Sequence, residues 1–336
     1  MKALCVIYRT DRIGDFICSI PAIYAVREKL PNHHIVLVVS PLVYSLASSL
    51  PCVDECRVFD SSDAFPFTDV DYAILLNKQD DIFYKAIEGV SIQHRYGIWR
   101  QRSLFDRIRT YSFKERTETQ KMLDYIKGIR SSSSINTQSS FLPEQPIPYS
   151  IEKKDMVQEI LQPFLESGKK IIVLSPIKEG SSKVIADSFY PTILQTIHAR
   201  FPHVAIIVVV SEFDREKGES IMRSLPTELE RCLLFVNTSD LSTLVALIDA
   251  CDIFIGSSSG PTHIAGLLNK KIIACYPYNK GHSPARWGVQ GDRVKYILSE
   301  KRIDELSMTH PKRFGETHLE ELCSHIREFC INGEKQ

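Results

Sequence analysis

Apolar residues fall along the chain in two kinds of pattern. Residues 3–8 (ALCVIY) and 35–39 (IVLVV) are unbroken apolar runs, as expected of strands covered on both faces in a parallel sheet. Between them Ile17, Ile20, Ile23, Tyr24 and Arg27 recur at helical spacing, which predicts a strand, helix, strand unit. Further strands are predicted over 72–76 and near 90–93. The pattern restarts with a strand over 171–174, a helix over 188–200 and a strand over 204–210. A helix over 241–250, a strand over 253–255, a helix from Pro261 and a strand over 272–274 complete the second series. Alternation of this kind belongs to α/β architecture with parallel strands, and its restart predicts two such halves.

Between the halves, residues 131–140 (SSSSINTQSS) offer almost nothing to bury, and Pro143, Pro146 and Pro148 follow closely. The linker is placed here, dividing the chain into Rossmann-like domains over 1–148 and 149–315 and a terminal helix over 316–336. Thr317 stands three residues before Glu320, the spacing of a capping box. Leu319, Leu322, Cys323, Ile326, Phe329 and Cys330 then mark one apolar face. That face must pack on something, either the second domain or the first.

Composition narrows the class. A chain of 336 residues with 43% hydrophobic and 24% charged residues suits two globular domains. Forty-one basic residues balance forty-one acidic ones, so no broad electrostatic grip on nucleic acid is expected. The apolar start is cut short by Arg9, Asp11 and Arg12, and no apolar run has the length of a membrane span, so a cytoplasmic protein is expected. The nine cysteines lack the spacing of a zinc or redox motif and read as buried thiols.

Two segments carry candidate chemistry. The first, Tyr8-Arg9-Thr10-Asp11-Arg12-Ile13-Gly14-Asp15, follows the first strand, where open α/β sheets place their ligands. With one glycine and two aspartates it would meet a dinucleotide's pyrophosphate with negative charge, which argues against a dehydrogenase. A carboxylate at the head of a helix is suited to taking a proton from a hydroxyl. It is equally suited to capping that helix, and Asp11 rivals Asp15 for the role. The second segment is Gly256-Ser257-Ser258-Ser259-Gly260-Pro261-Thr262-His263, between a strand and an apolar helix. Glycines allow close approach, the hydroxyls of Ser258, Ser259 and Thr262 can donate, and Pro261 suits a first helical turn whose amides favour an anion. No lysine follows the glycine, so it is not a Walker loop, and the bland reading is a hydroxyl-rich cap.

Together these segments resemble glycosyltransferase family 9, the ADP-heptose:lipopolysaccharide heptosyltransferases. The R-x-G-D turn (Arg12 to Asp15) leads into a helix with a T/S-x-P-x-x-x-x-x-R pattern, here Ser19, Pro21 and Arg27. DIFIGSSSGPTHIAGLLNKKIIACYP is similar to the family's donor segment, and Ser283 to Gly288 (SPARWG) to the loop after it. The resemblance implies a GT-B fold: α/β, two Rossmann-like domains with parallel sheets facing a central cleft. It implies an inverting, metal-independent transferase with no cofactor, with Asp15 as general base and Lys183 meeting donor phosphate or developing charge. It implies donor contacts from Ser258, Ser259, Gly260, Thr262 and His263. Two departures stand out: Ser258 where heptosyltransferases usually carry aspartate, and Ile185-Ala186 in place of a tryptophan-proline pair.

Residues 95–116 hold seven basic side chains with Tyr96, Trp99, Phe105, Tyr111 and Phe113 interleaved. Arginine forks beside aromatic faces suit phosphorylated sugars or anionic head groups, and also a nucleic-acid backbone. Since the family's acceptor lies on this domain, the resemblance implies that Arg12, Arg100, Arg102 and Arg109 hold an anionic glycolipid at the inner face of the inner membrane. The expected partners are a nucleotide-sugar donor, ADP-heptose first, and that glycolipid, with no nucleic acid. The competing class is a nucleotide-sugar or nucleic-acid binding protein without turnover.

Overall fold

A computed structural model describes residues 3–59, 67–77, 90–97, 107–108, 116–129, 142–176, 184–225, 229–238, 240–278, 281–299 and 314–331. The chain divides into two compact units, Met1–Pro148 and Tyr149–Gln336.

In the first unit the strands are β1 (Leu4–Arg9), β2 (His34–Val39), β3 (Glu55–Val58), β4 (Asp69–Leu75), β5 (Ser91–Gly97) and β6 (Arg107–Ile108). The helices are α1 (Ile13–Lys29), α2 (Tyr44–Ala47) and α3 (Glu118–Lys127). The strands form one sheet in the order β3-β2-β1-β4-β5-β6, each pair parallel. β1 is central, with Val6 opposite Val36 and Ala73, and Tyr8 opposite Val38 and Leu75, so one face of three strands forms a continuous apolar layer. α1 buries every residue from Phe16 to Val26 against its surroundings. Its far end is pinned by Arg27, whose guanidinium donates to the carbonyls of Cys52 at 3.1 Å and His33 at 2.9 Å and pairs with Asp54. The patterned arginine is therefore a brace between α1 and the chain around β2 and β3.

In the second unit the strands are β7 (Lys170–Ser175), β8 (Val204–Ser211), β9 (Cys232–Asn237), β10 (Ile253–Ser257), β11 (Lys271–Tyr276) and β12 (Val294–Leu298). The helices are α4 (Ile151–Glu166), α5 (Tyr190–Arg200), α6 (Arg215–Arg223), α7 (Leu241–Asp249), α8 (Gly260–Leu267), α9 (Pro284–Trp287) and α10 (Glu316–Ile331). The sheet runs β12-β11-β10-β7-β8-β9, again wholly parallel. Both sheets thus follow one plan. The chain starts centrally, adds two strands to one side, then returns to the centre and builds to the other. The order reverses between β1 and β4 and between β7 and β10, and such switch points open a crevice at the strands' carboxyl ends.

The terminal helix α10 completes the second unit. Leu322, Cys323, Ile326 and Phe329 lie in one core with Ile273, Cys275 and Ile297. Lys170 and Lys271 donate to the carbonyls of Cys330 and Phe329 at 2.8 and 2.7 Å, satisfying groups that the last turn leaves open. Its start departs from the expected capping box. The helix begins at Glu316, so Thr317 lies inside it, and His318 accepts the Gly315 N–H at 3.1 Å. Glu320 instead makes a two-pronged ion pair with Arg200, at 2.7 and 2.6 Å. A capping box does exist at α3, where Thr117 and Gln120 bond each other's backbone. Among the described residues no helix is long and apolar enough to cross a membrane.

Candidate functional site

Both chemical segments stand at a switch point. In the first unit, β1 delivers Arg9 at its carboxyl end and α1 begins four residues later. Arg9 is only 3% exposed. Its Nη1 donates to the Leu76 carbonyl and lies 3.3 Å from Asp11 Oδ2. Its Nη2 donates to the Asp15 carbonyl at 2.7 Å and lies 3.7 Å from Asp15 Oδ1. A second link crosses beside it: Asn77 accepts from the Thr10 N–H at 3.1 Å and donates to the Thr10 hydroxyl at 2.7 Å. The turn after β1 is thereby tied to the end of β4 twice.

Asp15 occupies the first turn of α1 but caps nothing. The N-cap is Arg12, exposed and with no side-chain cap bond. Among the described residues the Asp15 carboxylate accepts no hydrogen bond, and its one ion-pair partner, Arg9, is beyond hydrogen-bond length. Such a carboxylate has lone pairs not committed to the described residues, next to the positive end of a helix dipole. Asp11 is closer to the guanidinium and is its nearer counter-ion.

In the second unit, β10 ends on Ser257 and α8 starts at Gly260, with Ser259 as N-cap and no side-chain cap bond. The first intrahelical bond is His263 N–H to the Ser259 carbonyl at 3.1 Å, so the amides of Gly260 and Thr262 precede the helix's own ladder. These are donors suited to an anion. Thr262 is fully buried, and its hydroxyl donates to the Ser257 carbonyl. Its single proton is thus engaged, and the Ser259 hydroxyl, 3.0 Å away, donates to it in turn. Two of the three hydroxyls expected to meet phosphate therefore brace the turn, and Ser258 and Gly260, both partly exposed, are the part of it open to a ligand. Gly256 is needed for this brace, since a Cβ there would sit 2.9 Å from Thr262 Oγ1. His263 is buried, and burial pushes its imidazole down to about 4. It brings a ring without charge at neutral pH.

Lys183, Arg100, Arg102 and Arg109 lie outside the described residues. Among the described residues no group of three or more His, Cys, Asp or Glu side chains is placed to hold a metal ion. None of the nine cysteines forms a disulfide, and burial drives the thiols of Cys251 and Cys275 up to about 12. Sequence reading missed Arg9 and Asn77. Their signal was a charged and a polar residue at the ends of two apolar strands, a position that a parallel sheet makes functional.

The family model described as glycosyltransferase family 9 (heptosyltransferase) matches residues 70–318. Lipooligosaccharide heptosyltransferase 2 of Campylobacter jejuni is 23% identical over 292 residues, 85% of each chain. Among solved structures, the ADP-heptose lps heptosyltransferase II of E. coli superposes with a TM-score of 0.77 at 18% identity, over 98% of this chain and 99% of that one. The E. coli heptosyltransferase WaaC with ADP gives 0.71 at 11% identity, over 97% and 99%.

Proposed function

The chain belongs to glycosyltransferase family 9 and is a glycosyltransferase; on that premise we propose that it is an inverting, metal-independent enzyme moving heptose from ADP-heptose to a lipopolysaccharide core or related glycolipid. The observation that carries the reading is the pair of switch points. One presents a carboxylate that accepts no hydrogen bond among the described residues, the other a helix start with no side-chain cap and no acidic side chain in the turn before it.

In the proposed reaction Asp15 takes the proton of an acceptor hydroxyl as its oxygen attacks the anomeric carbon. The bond from that carbon to the diphosphate breaks on the opposite face, and its electron pair leaves with the nucleotide. One displacement inverts the configuration. The developing diphosphate charge is met by the Gly260 amide at the positive end of α8, the Ser258 hydroxyl and, on the resemblance, Lys183, with Thr262 and Ser259 holding the turn from behind. Fixed donors of this kind do the work that a divalent ion does elsewhere. E. coli WaaC is solved with ADP, and a second WaaC structure, with a TM-score of 0.67, is of the complex with ADP-2-deoxy-2-fluoro heptose. Those ligands support adenine as the base. Arg12, Arg100, Arg102 and Arg109 are assigned to the anionic acceptor at a membrane surface. Charge reversal of Arg100, Arg102 and Arg109 is expected to raise the acceptor KM and weaken association with anionic liposomes; unchanged values would remove that assignment.

Calorimetric titration with ADP, GDP, UDP and CMP in EDTA tests the donor half. The expected result is selective ADP binding that collapses in Lys183→Ala. Absence of any nucleotide binding would remove the donor assignment, and binding that appears only with a divalent ion would remove metal independence.

A further inference from the structure

We propose that Arg9 is a positioning residue for the transfer, a buried fork that holds the Asp15 carboxylate at the carboxyl edge of the first sheet. The inference rests on the reading of Asp15 as base. A guanidinium buried to 3% exposure costs free energy unless it is paired, and a cation is not needed to hold two parallel strands together. The Thr10–Asn77 pair already links the same strand ends through neutral groups, at 3.1 and 2.7 Å. What the Arg9 fork adds is reach. One arm engages the end of β4 and Asp11, the other the first turn of α1 through the main-chain oxygen of Asp15 at 2.7 Å. Among the described residues its buried Nε has no hydrogen-bond partner, and the two arms hold the side chain.

The distances divide the labour between the two aspartates. Asp11, at 3.3 Å, is the nearer counter-ion of the guanidinium. Asp15, at 3.7 Å, is located by the bond to its own carbonyl, while its carboxylate stays clear of a hydrogen bond that would occupy the lone pair. A tighter Arg9–Asp15 pair would bind the base to the protein, and no Arg9 would leave it free to wander. A planar fork can meet these partners at once, whereas the point charge of lysine cannot.

The test is a double-mutant cycle on the full chain, with ADP-heptose as donor and a truncated lipopolysaccharide core as acceptor. Arg9→Met is expected to lower kcat on the order of 10²-fold, as a misplaced catalytic group does, with the KM for donor and the calorimetric affinity for ADP unchanged. Arg9→Lys should recover part of the loss, and it serves for the cycle if Arg9→Met does not fold. In an Asp15→Asn background the Arg9 substitution should have almost no further effect, because it acts through the group already removed. Wild-type kcat in folded Arg9→Met, or losses at Arg9 and Asp15 that multiply, would overturn the proposal while leaving Asp15 as base. Transfer that survives Asp15→Asn would overturn the base assignment itself.

Discussion

Thr262 illustrates how a single hydroxyl governs the second switch point. Its proton goes to the Ser257 carbonyl and its oxygen receives the Ser259 hydroxyl, so the last residue of β10 and the N-cap of α8 are tied to one buried atom. Thr262→Val keeps the shape and removes both hydrogen bonds, at about 0.5–1.5 kcal/mol each. Urea unfolding should register that loss, and ADP affinity should fall with it because the helix start is no longer fixed. His263, one residue on, gives a pH prediction. Burial sets its folded value at about 4, below the ordinary 6.5. As pH falls the unfolded chain therefore takes up the proton first. The stability contributed by the neutral ring is complete above about 6.5 and is lost between about 6.5 and 4. The loss is up to roughly 3 kcal/mol, and urea midpoints of His263→Gln should be flatter than wild type across that window.

At the scale of elements, α8 is held from behind as well as from its start. A Cβ on Gly266 would lie 2.2 Å from Val289 Cγ1 and 2.7 Å from the Gln290 carbonyl oxygen, so the helix touches the following segment backbone to backbone. Gly266→Ala should cost about 1–3 kcal/mol and shift the turn that opens α8, weakening nucleotide binding in calorimetry. Arg27 offers the contrasting case. Its bonds go to the carbonyls of Cys52 and His33 and to Asp54, away from the switch point. Arg27→Ala should lower the melting temperature while leaving the KM for donor unchanged.

These elements also explain what could be read in advance. Strands such as β1 and β8 announce themselves because burial on both faces leaves no polar position to confuse the run. β9, half-buried along its length, and β3, with the polar sequence Glu55-Cys56-Arg57, lie at sheet edges where that signal fades. The start of α10 differs from expectation because Thr317 and Glu320 fit a cap by spacing alone. His318, one residue beyond Thr317, makes the reaching-back bond instead, and Arg200, distant in sequence, claims Glu320. In the candidate sites, the positions of Asp15 and Ser258 to His263 were legible from the strand-to-helix junctions. Arg9 was not, because its partners Leu76 and Asp15 come together only when β1 and β4 become neighbours.

At the scale of the molecule, one topology has been used twice with opposite chemistry at the same place. The first sheet's reversal point carries Arg9, Asp11 and Asp15; the second's carries helix amides and hydroxyls. If the first unit activates the acceptor and the second holds the departing nucleotide, the two functions should separate by mutation. The most direct measurement pairs ADP affinity with initial rate of transfer from ADP-heptose for wild type and Asp15→Asn. The expected result is ADP affinity unchanged within about twofold and a rate lowered by roughly 10²–10⁴-fold, the contribution of a general base. Undiminished transfer by Asp15→Asn, or a rate that falls only as far as ADP binding falls, would contradict this division of labour.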